Sequence, residues 1–270
     1  MSDLHVDVIG QGPPLVLLHG WAMHGGVFAP LVERLRDRHT LHVVDLPGHG
    51  LSRDSTVPMK LAACAAAIAD CVPVAPWCGW SLGGLIALQA AVRDPARIPR
   101  LVMLCASPRF VRSDAADDPW PYAVSADVFR DFATGLRTDY RGTLEHFVAL
   151  EAFGSDHAKD EMRAMRDGLL TRGEPAAAVL ADGLELLQVS DLRADLPGLS
   201  VPSLWLAGRR DRLVDARAMR AAAALAPQAS LHVIEHAGHA PFLTHAEAVT
   251  AQLARFLDAK GDAGGAGAVR

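Results

Sequence analysis

Cysteine is scarce in this chain, and what there is does not pair. The four cysteines, Cys64, Cys71, Cys78 and Cys105, include no C-x-x-C spacing. That excludes a zinc ribbon and a disulfide-stapled scaffold, so the thiols read as reduced core residues and the expected compartment is cytoplasmic. No metal site and no cofactor are expected. No run of 18 or more apolar residues occurs, so no membrane span is predicted. The start, Met1-Ser2-Asp3-Leu4-His5, lacks a basic segment followed by an apolar one, and no signal peptide is expected. Charge of neither sign dominates; the net value of -5 argues against nucleic acid as a partner. No internal repeat is visible. With 270 residues, half of them hydrophobic, the chain suits one α/β domain with an insertion, and a monomer is expected.

What is present centres on Gly79-Trp80-Ser81-Leu82-Gly83. This G-x-S-x-G follows a short apolar strand candidate, 74–78, and precedes an apolar helix candidate, 82–93. A turn this tight from strand to helix strains its central residue and projects the serine oxygen over a helix N-terminus. The same pentapeptide without that context would be a Gly-rich turn.

Serine is a weak nucleophile and needs a base and an orienting acid, which on such a fold follow it in the order Ser, Asp/Glu, His. Strand 202–206 ends near Gly208, with Asp211 on the loop beyond. Strand 230–235 is followed by His236-Ala237-Gly238-His239-Ala240-Pro241-Phe242. Both loops lie at strand C-termini, where an open parallel sheet places its site. Asp215 and Asp45 compete for the acid; Asp215 suits a helix cap, and Asp211 itself could pair with Arg209, Arg210 or Arg212. His236 competes for the base. His239, after a flexible Gly, is favoured. His5, His39, His42, His157 and His232 read as surface or strand positions.

The developing oxyanion needs two donors. In an α/β-hydrolase one comes from the loop after an early strand and the other from the residue after the nucleophile. Strand 14–18 leads into His19-Gly20-Trp21, which assigns the backbone N–H groups of Trp21 and Leu82. Strands are expected near 4–9, 14–18, 40–45, 74–78, 100–105, 202–206 and 230–235, and helices near 26–36, 60–70, 82–93, 215–226 and 245–258. Alternation of this kind implies a largely parallel sheet covered on both faces. The expected core is 1–106 with 200–258; the Gly/Ala-rich tail 259–270 is expected to be disordered.

Alternation breaks over 107–199, where helices are expected near 125–137, 141–152, 156–170 and 174–187. An insertion at this point of the chain reads as a helical lid over the site. Leu144, Phe147, Val148, Leu150 and Phe153 form an apolar face, from which Phe147 can reach substrate beside Trp21 and Trp80. Lys159, Arg163 and Arg166 share one helix face, with Asp160, Glu161 and Asp167 off that stripe and Arg137 and Arg141 adding positive charge. By spacing alone the stripe is a solvated face; the sharper reading is a dock for an acidic partner.

The chain resembles the pimeloyl-[acyl-carrier protein] methyl ester esterase family of biotin synthesis, within the α/β-hydrolases. The resemblance runs over 5–258. It is carried by His19-Gly20-Trp21, Asp45-Leu46-Pro47-Gly48-His49-Gly50, Gly79-Trp80-Ser81-Leu82-Gly83-Gly84-Leu85, Ala106-Ser107-Pro108-Arg109-Phe110, Trp120-Pro121, Phe147-Val148-Ala149-Leu150, Gly183-Leu184-Glu185-Leu186-Leu187, Asp191-Leu192-Arg193 and His239-Ala240-Pro241-Phe242. It implies a carboxylesterase with Ser81, Asp211 and His239 as its triad and substrate contacts from Trp21, Trp80, Leu82 and Phe147. It also implies an acyl-carrier protein partner held by basic residues of the insertion, here Arg141, Lys159 and Arg163. The chain departs from the family at His146, which stands in place of an arginine, and at Gly142, with Arg141 displaced by one residue. Other readings are a general short-chain carboxylesterase, a C–C bond hydrolase, or a hydrolase-fold small-molecule receptor. Dehalogenases and epoxide hydrolases place an Asp where this chain has Ser81.

Overall fold

The computed structural model describes residues 4–169 and 171–259. Seven strands form one sheet: β1 (Val6–Gly10), β2 (Pro14–Leu18), β3 (Thr40–Val44), β4 (Trp77–Trp80), β5 (Leu101–Leu104), β6 (Ser203–Gly208) and β7 (Ala229–Ile234). Their order is β1-β3-β2-β4-β5-β6-β7, with β1 antiparallel to β3 and every other pair parallel. The helices are α1 (Ala29–Leu35), α2 (Leu61–Cys71), α3 (Leu82–Arg93), α4 (Ala126–Thr138), α5 (Tyr140–Ala152), α6 (Ala158–Leu169), α7 (Ala177–Val189), α8 (Ala216–Ala223), α9 (Pro241–Thr244) and α10 (Ala246–Asp258).

The central strands are unbroken apolar runs because helices cover both faces of the sheet. β4, β5 and β6 are buried along their whole length, whereas edge strands β1 and β7 keep partly exposed residues. Strand direction of travel reverses at β2, which has β3 on one side and β4 on the other. The crevice beyond the C-terminal ends of β2 and β4 is thus the topological switch point, where ligands bind in open α/β sheets.

The expected alternation appears with shifted edges. β4 begins at Trp77, three residues later than expected, because Pro76 lacks an N–H and Val74 is exposed at 54%. It then runs through Gly79 to Trp80. The helix expected over 26–36 is a short 3-10 turn, Gly25–Phe28, followed by α1 with Pro30 in its first turn. The helix expected over 245–258 is preceded by α9, which Pro241 starts. The end of the helix expected over 156–170 lies outside the described residues at 170. So do 260–270 of the expected tail and the first three residues of the chain. His39, expected at a surface or strand position, is buried just before β3.

α4–α7 stand between β5 and β6 in the chain, and they pack on one another as α4 on α5 and α7, and α5 on α6. At their neck Arg109 bonds Asp118 and Asp191 (2.8 and 3.0 Å), and Arg193 bonds the same two carboxylates (both 2.6 Å). Beyond α6, Arg172 reaches back to the core. It bonds Asp7 at 2.6 Å and the buried Asp45 at 3.2 Å, while His24 bonds the Gly168 carbonyl at 2.7 Å.

Candidate active site

Ser81 stands between β4 and α3 with φ +54° and ψ −118°, a left-handed strain that a non-glycine residue tolerates only when its surroundings enforce it. They do. A Cβ on Gly79 would strike the Gly83 carbonyl, and one on Gly83 would strike the carbonyls of Leu18 and His19, so the elbow closes only with glycine at both positions. The Ser81 N–H donates to the Leu104 carbonyl at 3.1 Å, anchoring the turn to β5.

Asp211 and His239 meet although they lie on different loops. His239 Nδ1 is 2.7 Å from Asp211 Oδ2, and neither side chain is accessible to solvent. Asp211 Oδ1 accepts from the backbone N–H groups of Leu213 and Val214, both at 2.8 Å. A carboxylate only accepts, so the proton between the two side chains sits on Nδ1 and the ring orientation is fixed. The loops close tightly because Gly208 packs on the Gly238 backbone without room for a Cβ. His239 Nε2 is buried without a hydrogen-bond partner, so a direct bond to Ser81 is not made in this structure. Such bonds commonly tighten only once substrate is bound.

The rival residues are spent elsewhere. Asp215 caps α8 through the Arg217 N–H at 2.8 Å. Asp45 accepts from the N–H groups of Gly25 and Leu51 and from Arg172. His236 lies on the surface, 3.0 Å from Asp156. None of the neighbouring arginines takes Asp211: Arg209 pairs with Glu235, Arg210 with Asp156, and Arg212 lies over the Phe153 ring.

The loop after β2 comes up beside the elbow, where a Cβ on Gly20 would lie 3.2 Å from the Ser81 Cβ. Buried His19 holds this loop. Its Nε2 accepts the Leu46 N–H at 2.9 Å, so Nδ1 carries the proton and donates to the Gly20 carbonyl at 2.8 Å. Burial and neighbouring His49 push its pKa down to about 3, which keeps the ring neutral. Leu82 opens α3, where the first N–H groups have no intrahelical acceptor. Trp21 follows Gly20, and its indole donates to the Leu180 carbonyl at 2.8 Å.

A cavity of about 40 Å³ reaches Ser81, walled by Trp21, Phe129, Phe132, Phe147 and Leu184 among others. Phe147 packs edge-on against Trp21 with centroids 4.6 Å apart. Trp80 is absent from this wall. Its indole donates to the His239 carbonyl at 2.8 Å and its ring packs on Phe242, so it braces the histidine loop. A second, outer cavity of about 430 Å³ between α4 and α5 shares Val128 and Phe132 with the inner one.

Among the described residues one group of three side chains has the spacing of metal ligands: Cys105, Asp211 and His239. Both Asp211 oxygens and His239 Nδ1 are already engaged. Burial, then the Asp211 charge, pushes the Cys105 thiol well above its ordinary value, away from the thiolate a metal prefers.

On the insertion, Arg141 pairs with Glu174 (3.2 Å) and Arg163 with Asp160 (2.9 Å); Lys159 is in no such pair among the described residues. Two buried carboxyls were not expected from the sequence: Glu151, which went unremarked, and Glu161, read only as lying off the basic stripe. A signal for Glu151 existed: it lies four residues from Phe147 and three from Val148, on their buried face.

The family model described as the α/β hydrolase fold matches residues 13–246. A pimeloyl-[acyl-carrier protein] methyl ester esterase of Stenotrophomonas maltophilia (strain K279a) is 55% identical over 262 residues, 97% of this chain and 99% of the relative. One from Xanthomonas campestris pv. campestris (strain B100) is 56% identical over 256 residues, 95% of this chain and 99% of that one. Among solved structures, an esterase from Exiguobacterium antarcticum superposes with a TM-score of 0.83 at 23% identity, covering 94% of this chain and 95% of its own. An enol-lactonase from Burkholderia xenovorans LB400 gives 0.80 at 23% identity, covering 94% and 96%. At that identity the two structures speak for the fold alone.

Proposed function

The chain belongs to the pimeloyl-[acyl-carrier protein] methyl ester esterases, within the α/β-hydrolase fold family, and from this we propose that it hydrolyses the methyl ester of a pimeloyl group borne on acyl-carrier protein. The observation that carries the chemistry is the solvent-free Asp211–His239 pair beside a strained serine. Ser81 Oγ attacks the ester carbonyl while His239 Nε2 takes its proton, and Asp211 stabilises the imidazolium that forms. The N–H groups of Trp21 and Leu82 hold the oxyanion; losing one such donor costs about 3–4 kcal/mol in the barrier. The carbon–methoxy bond breaks as His239 returns the proton, and methanol leaves. Water, deprotonated by His239, then attacks the acyl-serine; the serine leaves with the proton and the ω-carboxylate is freed.

The apolar inner cavity suits an uncharged ester end, with Trp21 and Phe147 against the acyl chain. α4–α7 act as a lid over this site, and Val128 and Phe132, which line both the inner and the outer cavity, are the side chains whose movement joins the two. Trp80 serves the substrate indirectly, by seating His239. The acidic carrier docks on the insertion through Lys159, Arg163 and Arg141, the two arginines exchanging their present carboxylate partners for those of the carrier. The enzyme works as a cytoplasmic monomer; no helix among the described residues is long and apolar enough to cross a membrane. Ser81→Ala tests the mechanism. It should fold and lose p-nitrophenyl ester hydrolysis, and retained turnover would remove the serine route. Wild-type preference for the pimeloyl-carrier methyl ester over free methyl esters tests the substrate; equal turnover would leave a general carboxylesterase.

A further inference from the structure

α6 has an outer face with Lys159 and Arg163 and an inner face with Glu161, which is fully buried. Glu161 Oε1 accepts from Ser155 Oγ at 2.8 Å and from Thr244 Oγ1 at 2.5 Å. Ser155 lies in the turn between α5 and α6, and Thr244 ends α9, just after His239. The other oxygen, Oε2, has no hydrogen-bond partner and lies against Gly238, where a Cβ would sit 3.4 Å from it. A single carboxyl therefore touches the chain on both sides of His239. The same corner of the insertion grips that segment through its backbone: the His239 N–H donates to the Glu151 carbonyl, and the Asp156 N–H to the His236 carbonyl, both at 3.3 Å.

Glu161 makes no ion pair with an arginine or lysine among the described residues. The titratable groups facing it are His157 at the start of α6, His239, Glu151 on α5, and Cys105 and Asp211 beyond; His245 joins through Thr244 Oγ1. Burial raises its carboxyl above the ordinary value, an effect that the two hydroxyls and the imidazoles of His157 and His239 only partly offset. Glu151 has no donor on either oxygen, and burial, then the charges of Asp211 and Glu161, push it well above the carboxylate range. The two carboxyls thus differ in their partners: Glu151 has none on either oxygen, and Glu161 is held by two hydroxyls.

We propose that Glu161 is a positioning residue that fastens α6 to both flanks of the segment bearing His239, so that the alignment of the base follows the seat of that helix. This rests on His239 being the base. The helix that would receive the carrier is then the helix that seats the imidazole.

The test uses the full chain and p-nitrophenyl butyrate, which needs no carrier. Glu161→Leu should lower kcat roughly tenfold or more while KM stays within about twofold, the signature of a misaligned group. Glu161→Gln keeps a carbonyl acceptor for both hydroxyls and should recover kcat to within about threefold of wild type. Thr244→Val leaves Glu161 in place and removes one tether; it should lose kcat too, which keeps the test decisive if the leucine variant does not fold. Wild-type kcat in the valine variant, and in the leucine variant where it folds, with only thermal stability altered, would reduce Glu161 to a structural role and overturn the proposal. His239→Ala separates the two readings: if it is inactive while the Glu161 variants behave as wild type, this inference alone fails, and if it stays active the functional reading fails.

Discussion

Asp211→Asn should inactivate the enzyme without unfolding it, for a reason that the hydrogen bonds around residue 211 dictate. Oδ1 accepts two backbone N–H groups, from Leu213 and Val214, and Oδ2 faces His239 Nδ1. An asparagine has one oxygen to offer. Turning its NH₂ toward the two N–H groups would leave both unpaired in a buried site, roughly 2–6 kcal/mol in total. The oxygen therefore stays with Leu213 and Val214, and the NH₂ faces Nδ1. Nδ1 must then accept, the ring proton moves to Nε2, and the nitrogen that should take the serine proton no longer can. An inverted tautomer in such a triad lowers kcat by about 10⁴, or about 5.5 kcal/mol of barrier. Steady-state p-nitrophenyl butyrate hydrolysis measures the loss, circular dichroism the fold, and ¹⁵N NMR of the ring the tautomer. Activity above about a tenth of wild type, or a ring proton still on Nδ1, would refute the reasoning.

Two further outcomes follow from packing and burial. Gly83→Ala drives a methyl into the carbonyls of Leu18 and His19, and chemical denaturation should show a loss of about 1–3 kcal/mol, with esterase activity falling because the elbow must shift. Glu151→Gln should stabilise the fold in a pH-dependent way. The native carboxyl titrates well above its unfolded value, so its contribution is whole below about pH 4.5 and is lost as pH rises toward the folded value. Urea midpoints of variant and wild type should coincide at pH 4 and separate at pH 8 in the variant's favour; equal midpoints at both would mean that Glu151 is not a buried neutral acid.

The sheet, its order of helices and the loops that carry Ser81, Asp211 and His239 were legible in the sequence because each is a local signal: an apolar run, a turn, a polar residue just past it. Asp211 and His239 were expected from their positions past strands 202–206 and 230–235, and the structure brings the two side chains to 2.7 Å of each other. What escaped were pairings set by how the insertion lands. Arg172 meets Asp7 and Asp45 across more than a hundred residues, and nothing near either end announces it. Glu161 looked like part of a charged helix surface until α9 and the turn before α6 closed over it. The hydrogen bond from the Trp80 indole to the His239 carbonyl, across 159 residues, was equally unannounced. The basic stripe shows how spacing overstates charge: Arg163 is already matched by Asp160 on its own helix.

The crowding at Gly79 and Gly83 also bears on how this protein can change over generations. A single methyl at either position is excluded by main chain, which no compensating side-chain trim relieves. Ser81 is therefore held in place, and heritable variation is steered into segments such as α4–α7 that lie away from this turn. Preference for one acyl group over another is free to drift there, while the reaction itself stays the same.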